Sequence, residues 1–555
     1  MLAIGFSLPV AHQVVPHGVI HSALSGAEAA AHSTPSGLGV DAMTAQRKSN
    51  CPKQSAPTIR DAFPQPRYVK SRNGRLFVPL RAVLGPTEIN GQIYQSTTYN
   101  GEYPGPTIVA CPGDVLRVNV RNALDPANYQ PPATMPGEGD IRGQTNLHTH
   151  GFHVSPQRPG DNIFVVIKPG KLFRYRYEIP RDHPPGFYWY HPHRHGQTNV
   201  QDFGGMNGGI IVKGGVDSAN GWRKIGTRDL VLNQTALGLN ALGQPATFMP
   251  DPLGPFAPRP VACPPPTGML PCTPEGTQWF VNGALNPTID IKPGELQRWR
   301  ILNASGGSFT CVQLQGPIVA AAPDGPPLVP ASPQPFQVLA TDGNYLRRLT
   351  TEDTMLIGPS SRREILIIGP PVPGTYALNS LSLSSTGCTP GDVEATLATV
   401  NSSGSRVDAK LPPRRLPDQQ RDLRGDEINT RHRIVYSQDS ANSKFFINGE
   451  QFTSPDDVME RMELNKTAQW TIQNTTAAWH TFHIHINDFQ ITKINGKRVN
   501  YVEFDDNISI PPEQTVTMRY RPTDFTGKFV FHCHVLGHED NGMMAVVQVV
   551  KNLPD

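Results

Sequence analysis

The 555-residue sequence predicts an all-β protein made of three β-sandwich domains, and three observations support this prediction. Proline, at 56 residues, is about twice its usual ~5% share, and charged residues (17%) fall below the usual ~25%. Short segments alternate apolar and polar residues, as half-buried strands do. One turn-and-strand pattern occurs three times, and the chain is too long for a single core.

The repeated pattern begins at an Asn-Gly turn and ends in an alternating strand. The first copy runs from Asn100-Gly101 to the strand VLRVNV at residues 115–120. The second runs from Asn282-Gly283 to residues 296–301, and a fainter third from Asn448-Gly449 to residues 468–474. Copies separated by more than a hundred residues indicate three like domains.

Composition changes between the copies predict the domain boundaries. We expect domains at residues 56–216, 217–404 and 431–555, with a polar linker at 405–430. Two proline-rich inserts, 245–276 and 317–335, are interpreted as surface loops of the second domain. Residues 1–55 are expected to lie outside the fold. Ala29–Ala31 resembles the end of a signal peptide, but no Lys or Arg precedes Arg47, so a misplaced start codon or a disordered leader is the alternative.

Charge and hydropathy exclude some classes of partner. The formal net charge of +3 is too small to indicate nucleic acid or an anionic membrane. No run of 18 apolar residues is present, so we expect no membrane span. The oligomeric state stays open.

Seven cysteines are an odd number, which leaves six to pair if Cys533 binds a metal. Cys263 and Cys272 flank a short proline-rich loop that is typical of a local disulfide. Sequence does not decide the pairing of the remaining four, which are Cys51, Cys111, Cys311 and Cys388. Disulfides would suit an oxidising compartment, so we expect a secreted or periplasmic protein.

The C-terminal motif His-Cys-His-x-x-x-His-x-x-x-x-Met spans residues 532–543. A thiolate, imidazoles and a distant thioether are the ligands of an electron-transfer copper site. Side chains of a strand alternate between its faces, so Cys533 should point away from His532 and His534. One tripeptide could therefore contact two metal sites.

Ten of the 18 histidines fall in four short clusters. A single histidine is usually an ordinary surface or core residue, but His-x-His on a strand places both imidazoles on one face. Four such strands would supply eight nitrogens to one pocket, a ligand set suited to copper, zinc, iron or nickel. The clusters are His148 and His150; His191 and His193; His480, His483 and His485; and His532, His534 and His538.

These clusters resemble the four copper-binding signatures of the three-domain multicopper oxidases, which include laccases, bilirubin oxidases and bacterial copper-efflux oxidases. The resemblance runs from about residue 60 to the C-terminus and implies three cupredoxin-like Greek-key β-sandwich or barrel domains. It also implies four coppers per chain. The implied ligands are His480, Cys533, His538 and axial Met543 for type-1 copper; His148 and His483 for type-2; and His150, His191 and His534, with His193, His485 and His532, for the type-3 pair.

The resemblance further implies that a donor is oxidised one electron at a time at the type-1 site. The electrons would pass through Cys533 to the cluster, where dioxygen is reduced to water. Asp161 and Glu539 are the carboxylates it suggests for proton supply. Each could also be an ordinary polar loop residue. His195 continues the spacing of His193 and is a less favoured ligand, and the second domain is expected to act as a spacer.

The donor is the least determined part of this hypothesis. An axial Met is associated with a lower potential, which disfavours the donors that are hardest to oxidise. The 12 methionines are scattered and form no Cu(I)-collecting segment, which favours a laccase-like oxidase of phenols or aromatic amines. A metallo-oxidase of Cu(I), Fe(II) or Mn(II), or a bilirubin oxidase, is the alternative. A copper-sequestering protein is more remote because all ten histidines are present, and a nitrite reductase would lack the paired type-3 ligands.

Overall fold

The computed structural model describes residues 51, 58–128, 134–135, 139–239, 245–248, 277–317, 332–416, 420–439 and 444–553. Nearly all of its regular structure is β-strand, which confirms the predicted all-β class. Most of the leader, most of both proline-rich inserts, and the predicted pair Cys263 and Cys272 lie outside the described residues. Within the described part, no helix is long and apolar enough to cross a bilayer.

The first third of the chain forms two packed sheets. Strands β3, β2, β5 and β9 form one layer, and β1, β4, β11, β10 and β8 form the other. Exposure alternates along β2, where Leu76, Val78 and Leu80 are buried between exposed neighbours, as the sequence pattern predicts. The elements are β1 (Tyr68–Lys70), β2 (Arg75–Ile89), β3 (Gln92–Tyr99), β4 (Thr107–Ala110), β5 (Val115–Asn122), β6 (Thr134–Met135), β7 (Gly139–Asp140), β8 (His148–His150), β9 (Leu172–Glu178), β10 (Gly186–His191), α1 (Thr198–Phe203) and β11 (Gly208–Val212), with 3-10 turns at Pro126–Asn128 and Gly215–Asp217.

The middle third repeats this two-layer arrangement around the buried Trp299. Strands β19, β18, β21, β16 and β12 face a layer of β15, β23, β22, β17 and β20. The elements are β12 (Gly226–Leu239), β13 (Pro245–Phe248), β14 (Thr277–Val281), β15 (Thr288–Ile291), β16 (Leu296–Asn303), β17 (Thr310–Gln315), β18 (Phe336–Thr341), β19 (Asn344–Glu352), β20 (Thr354–Ile357), β21 (Arg362–Ile368), β22 (Gly374–Ser384) and β23 (Gly387–Ser402).

The last third packs a seven-stranded sheet against a five-stranded sheet around the buried Trp470. The five-stranded sheet has the order β26, β35, β34, β28, β32. The elements are β24 (Ile428–Gln438), β25 (Phe445–Ile447), β26 (Val458–Glu463), β27 (Thr467–Asn474), β28 (His480–Ile484), β29 (Phe489–Ile494), β30 (Lys497–Arg498), β31 (Phe504–Asp505), β32 (Asn507–Ile510), β33 (Thr515–Tyr520), β34 (Gly527–Cys533), α2 (Leu536–Asp540) and β35 (Met544–Val550).

The three thirds of the chain, called the first, middle and last segments below, share one strand topology, which explains the sequence repeat. The strands that follow the Asn-Gly turns, β4, β15 and β26, pair in parallel with the last strands of their segments, β11, β23 and β35. The next strands, β5, β16 and β27, pair in parallel with β2, β12 and β24. Asn100, Asn282 and Asn448 each have positive φ, a conformation that Asn tolerates in such turns.

The structure shows two connections that the sequence did not determine. The cysteines left unassigned form the pairs Cys51–Cys111 and Cys311–Cys388. Strand β13 pairs with β3, which joins sheets of the first two segments into one of eleven strands. The predicted domain boundaries stay predictions.

Candidate metal centre

A buried thiol lies between two imidazoles where β34 meets α2. The Cys533 Sγ atom lies 3.4 Å from His480 Nδ1 and 3.6 Å from His538 Nδ1, and the two nitrogens are 3.2 Å apart. A metal ion at the centre of this triangle would lie about 2 Å from each donor atom, close to the ~2.0–2.3 Å of metal–imidazole and metal–thiolate bonds. Cys533 is a free, buried cysteine.

Neighbouring groups orient these side chains. Thr476 Oγ1 lies 2.8 Å from His480 Nε2, so the other ring nitrogen of His480 faces the thiol. The ring of Phe445 stacks on that of His538, with centroids 4.0 Å apart. Met543, the predicted axial ligand, is fully buried in the same core, and its carbonyl accepts a hydrogen bond of 3.0 Å from the Cys533 amide. Burial raises the pKa of Cys533 to about 12, so a metal would have to displace the thiol proton.

The residues beside Cys533 belong to a second site. In the ladder between β28 and β34, Cys533 is opposite Phe482, and His532 is opposite His483. All eight remaining clustered histidines are buried. Their rings lie close together, with centroid separations of 4.0 Å for His148–His485, 3.9 Å for His150–His483 and 4.8 Å for His150–His534. The structure therefore brings together the histidines of all four sequence clusters.

Hydrogen bonds at Nδ1 leave the Nε2 atoms of several rings facing inward. The Nδ1 atom of His148 contacts Asp161, that of His191 contacts the Pro192 carbonyl, and that of His483 contacts the Asp506 carbonyl. The Nε2 atoms of these three rings, and that of His485, have no hydrogen-bond partner among the described residues although they are buried. Buried ring nitrogens without a hydrogen-bond partner need an explanation, and a metal ion bound to their lone pairs would supply one.

His150 has the opposite arrangement. Its Nε2 atom lies 3.3 Å from Asp506 Oδ1, and its Nδ1 atom has no partner among the described residues. This contact leaves Nδ1 as the nitrogen available to a metal. The choice of ring nitrogen thus follows from what the other nitrogen contacts.

Burial controls the protonation of the cluster. Burial and the neighbouring imidazoles lower the pKa values of His148, His150, His483, His485 and His534 well below the ordinary value. The same causes lower the pKa of His191 to about 3. These rings are therefore neutral near pH 7, which is the form that binds a metal.

Candidate ligand triads overlap within this cluster. One triad joins His193, His485 and His532, the set that the family resemblance implies for one type-3 copper. Two other triads, His148 with His483 and His485, and His148 with His150 and His191, share members. Assignment of individual coppers therefore stays a prediction.

The two carboxylates suggested by the sequence both contact cluster histidines. Asp161 Oδ2 lies 2.8 Å from His148 Nδ1, and Oδ1 accepts a 2.9 Å hydrogen bond from the Thr149 amide. Burial raises the pKa of Asp161 to about 8, against the effect of that hydrogen bond. At neutral pH this carboxyl can therefore hold a proton beside the cluster.

Glu539 lies between the two rings on the other side. Its oxygens are 3.3 Å from His193 Nδ1 and 2.9 Å from His532 Nδ1, while the Nε2 atoms of these rings approach to 3.2 Å. Thr198 donates a 3.3 Å hydrogen bond to the same carboxylate. Burial raises the pKa of Glu539, but His193 and His532 outweigh burial and leave it lowered.

Sequence reasoning missed two residues beside the cluster, Asp506 and Arg362. Asp506 contacts His150 through its side chain and His483 through its carbonyl, and Arg362 forms a buried ion pair with it. Neither residue belongs to a His-rich motif, so the sequence carried no local signal for them. Of the other histidines, His183 accepts a 3.0 Å hydrogen bond from the His153 amide, and the ring of His195 packs on Phe452.

The chain matches two sequence models of one family. Models described as multicopper oxidase match residues 425–552 and residues 85–130 with 139–216. These matched regions contain all four histidine clusters.

Similar proteins and structures agree with this result. Multicopper oxidase mco of Staphylococcus aureus is 25% identical over 87% of this chain and 90% of its own length. A laccase of Bacillus stratosphericus is 22% identical over 88% of this chain and 96% of its own length. The solved structure described as a multicopper oxidase from Campylobacter jejuni, a metallo-oxidase, has a TM-score of 0.65 at 24% identity and covers 90% of this chain and 98% of its own. At that identity the structural likeness supports the fold alone. The similar structures have cupredoxin-like domains.

Proposed function

Because the chain belongs to the multicopper oxidase family, we propose that it is a laccase-like enzyme that couples one-electron oxidation of a phenol or aromatic amine to reduction of dioxygen to water. Multicopper oxidases use dioxygen and a reducing substrate. The identity of the donor and the detailed reaction are the parts that we propose.

One observation carries the proposal. Cys533 faces the His480–His538 site, while His532 and His534, its neighbours on the chain, face the eight-histidine cluster. An electron accepted on the Cys533 side would cross the Cys533 side chain, the adjoining backbone with one peptide bond, and the side chain of His532 or His534 before it reached the cluster. This arrangement couples donor oxidation to chemistry at a separate, fully buried site.

The residues fit copper at both sites. We propose that His480, Cys533 and His538, with Met543 as a further ligand, would hold type-1 copper, since two imidazoles, a thiolate and a thioether select copper. We propose His148 and His483 for type-2 copper; His150, His191 and His534 for one type-3 copper; and His193, His485 and His532 for the other. When bound, the coppers supply one-electron redox steps and a site for dioxygen.

Protons for water formation would come through the two buried carboxylates. Burial raises the pKa of Asp161, and its carboxyl contacts His148, so it can carry a proton on that side of the cluster. Glu539 contacts His193, His532 and Thr198, so as a carboxylate it can take up a proton and release it beside the opposite rings. Such positioned groups typically contribute 10²–10⁴-fold to rate.

Aromatic side chains around the thiolate site support an aromatic donor. Phe445 stacks on His538, and the half-buried Trp479 is adjacent to His480 in sequence and contacts Phe309 at a centroid distance of 5.6 Å. Phe445 is buried, but Trp479 and Phe309 are only partly buried, and partly exposed aromatic faces of this kind favour contact with aromatic rings. The 12 methionines form no cluster in the sequence that would collect Cu(I).

We also propose that the protein works in an oxidising compartment, outside the cell or in a periplasm. The pairs Cys51–Cys111 and Cys311–Cys388 support this, because disulfides persist where thiols are not kept reduced. Locating the protein in fractionated cells of its source would test the proposal, and recovery from the cytosol with both pairs reduced would contradict it.

The experiment that tests the function compares donors on one copper-loaded preparation. We expect kcat/KM for a methoxyphenol to exceed that for Fe(II) or Cu(I), with four donor molecules oxidised for each dioxygen consumed and no peroxide released. The variant Cys533→Ser is the matched control, because it removes the electron route and leaves the histidines in place. A metal ion preferred by tenfold or more would make the chain a metallo-oxidase, and peroxide as the main product would refute the cluster chemistry.

A further inference from the structure

Arg362 is a fully buried cation at the start of β21, in the segment that supplies no residue of the proposed copper ligand sets. Its guanidinium uses every N–H donor. Nε donates to the Phe187 carbonyl at 3.2 Å, Nη1 to the Ser360 carbonyl at 3.3 Å and Nη2 to the Asp342 carbonyl at 2.9 Å. The remaining donors of Nη1 and Nη2 go to Asp506, which makes a two-point ion pair.

This ion pair joins all three segments. Phe187 belongs to β10, the strand that ends at His191, whereas Asp506 lies between β31 and β32 in the last segment. Gly151, next to His150, has positive φ, and a Cβ there would collide with the Asp506 carboxylate and the Arg362 guanidinium. The backbone beside His150 therefore approaches the ion pair closely.

Asp506 contacts one imidazole from each of two segments. Its carboxylate Oδ1 lies 3.3 Å from His150 Nε2, and its carbonyl lies 2.6 Å from His483 Nδ1. The first contact leaves Nδ1 of His150 facing the cluster, and the second leaves Nε2 of His483 facing it. The position of Asp506 thus determines which nitrogen each ring presents.

We propose that Arg362 is a positioning residue for the copper cluster: by fixing Asp506, it selects the metal-binding nitrogen of His150 and orients His483. The middle segment then supplies part of the cluster's support rather than acting as a spacer alone. This inference rests on the proposed function, since it concerns copper held by those histidines. Removal of a group that orients a metal ligand typically lowers metal affinity by about 10- to 100-fold.

The test uses copper-loaded, full-length Arg362→Gln, which keeps much of the side-chain volume and removes the charge and the fork. We expect about 10- to 100-fold faster loss of cluster copper to a chelator, and an altered electron paramagnetic resonance signal of type-2 copper. The blue thiolate absorption should stay unchanged, because Cys533 and His538 are in a different site. Arg362→Lys keeps a buried cation without the two-point geometry and should give an intermediate loss; it also provides the measurement if the glutamine variant does not fold.

Arg363→Gln is the matched control. Arg363 is equally buried on the same strand and pairs at 3.3 Å with Asp342, which also contacts Arg362. Its loss therefore reports damage around Arg362 that leaves the Arg362–Asp506 pair in place. We expect its copper loss to stay within about twofold of wild type. We also expect Asp506→Asn to resemble Arg362→Gln, with the double variant no worse than the worse single variant, because both act along one path.

Three outcomes would overturn the inference or the function beneath it. Equal copper loss from Arg362→Gln and Arg363→Gln would show that Arg362 is only structural. Multiplied losses in the Arg362→Gln, Asp506→Asn double variant would show that Arg362 does not act through Asp506. A wild-type protein without cluster copper would instead refute the proposed function, so the two failures are distinguishable.

Discussion

Replacing Glu539 with glutamine isolates the proposed proton supply from the electron route. Glutamine keeps the size of the side chain and its place between His193 and His532, whose Nδ1 atoms lie 3.3 Å and 2.9 Å from the carboxylate. An amide cannot release a proton to the cluster. Its NH₂ group must also face an imidazole N–H, which costs about 1–3 kcal/mol of folding free energy for one unmade hydrogen bond.

The expected kinetic effect is much larger than the structural one. Loss of a positioned proton relay lowers kcat by roughly 10²–10⁴-fold, or about 3–5 kcal/mol of activation free energy. The assay has two halves. Under anaerobic conditions a donor should bleach the blue absorption at the wild-type rate, because the Cys533 site is intact. When oxygen is readmitted, recovery of the blue colour should be slower than in wild type by the same roughly 10²–10⁴-fold.

The adjacent Asp540 provides the matched control for Glu539→Gln. It is a buried carboxylate that accepts hydrogen bonds from the amides of Gly196 (2.6 Å) and Asn199 (2.8 Å). Because these hydrogen-bond partners are backbone amides, the reoxidation rate of Asp540→Asn should stay within a few-fold of wild type. The reasoning is refuted if fully loaded Glu539→Gln consumes oxygen at the wild-type rate with an unchanged pH profile.

Three further predictions concern other parts of the molecule. Cys533→Ser should abolish the blue absorption and donor oxidation while about three of the four coppers remain, as metal analysis would show; a persistent blue band would contradict the assignment. Burial raises the pKa of Asp202 to about 8, so between about pH 4 and 8 the folded chain keeps a proton that the unfolded chain has released, and stability falls as pH rises. Asp202→Asn should remove up to about 1.4 kcal/mol per pH unit of this dependence. Melting temperatures measured against pH should therefore fall less steeply for the variant than for wild type, and equal slopes would contradict the prediction. Replacing Cys311 and Cys388, which are 77 residues apart, with alanine should lower the unfolding free energy by about 4 kcal/mol, read by calorimetry; an unchanged melting temperature would show that the pair is dispensable.

Local sequence signals were sufficient where the structure depends on neighbours in the chain. Alternation in β2 and β5 predicted which side chains are buried, because successive residues of a strand face opposite sides. The same alternation predicted that Cys533 and its two neighbours serve different sites. The Asn-Gly turns revealed the threefold repeat, since their positive φ restricts the residue choice.

Non-local contacts were beyond the reach of sequence. Arg362 and Asp506 are 144 residues apart and lie in no motif, so only the packing of three segments reveals that they meet. The pairings Cys51–Cys111 and Cys311–Cys388 are fixed by the same packing, and composition allowed several alternatives. The continuity of one sheet across the first two segments depends on β13, inside an insert that was interpreted as a surface loop.

The most direct test of the central claim is a copper count combined with visible and electron paramagnetic resonance spectra of one purified preparation. We predict four coppers per chain, an intense blue thiolate band that depends on Cys533, one type-1 and one type-2 resonance signal, and a silent coupled pair. A single copper with no blue band, or full colour in Cys533→Ser, would contradict the view that one strand connects a donor site to an oxygen site.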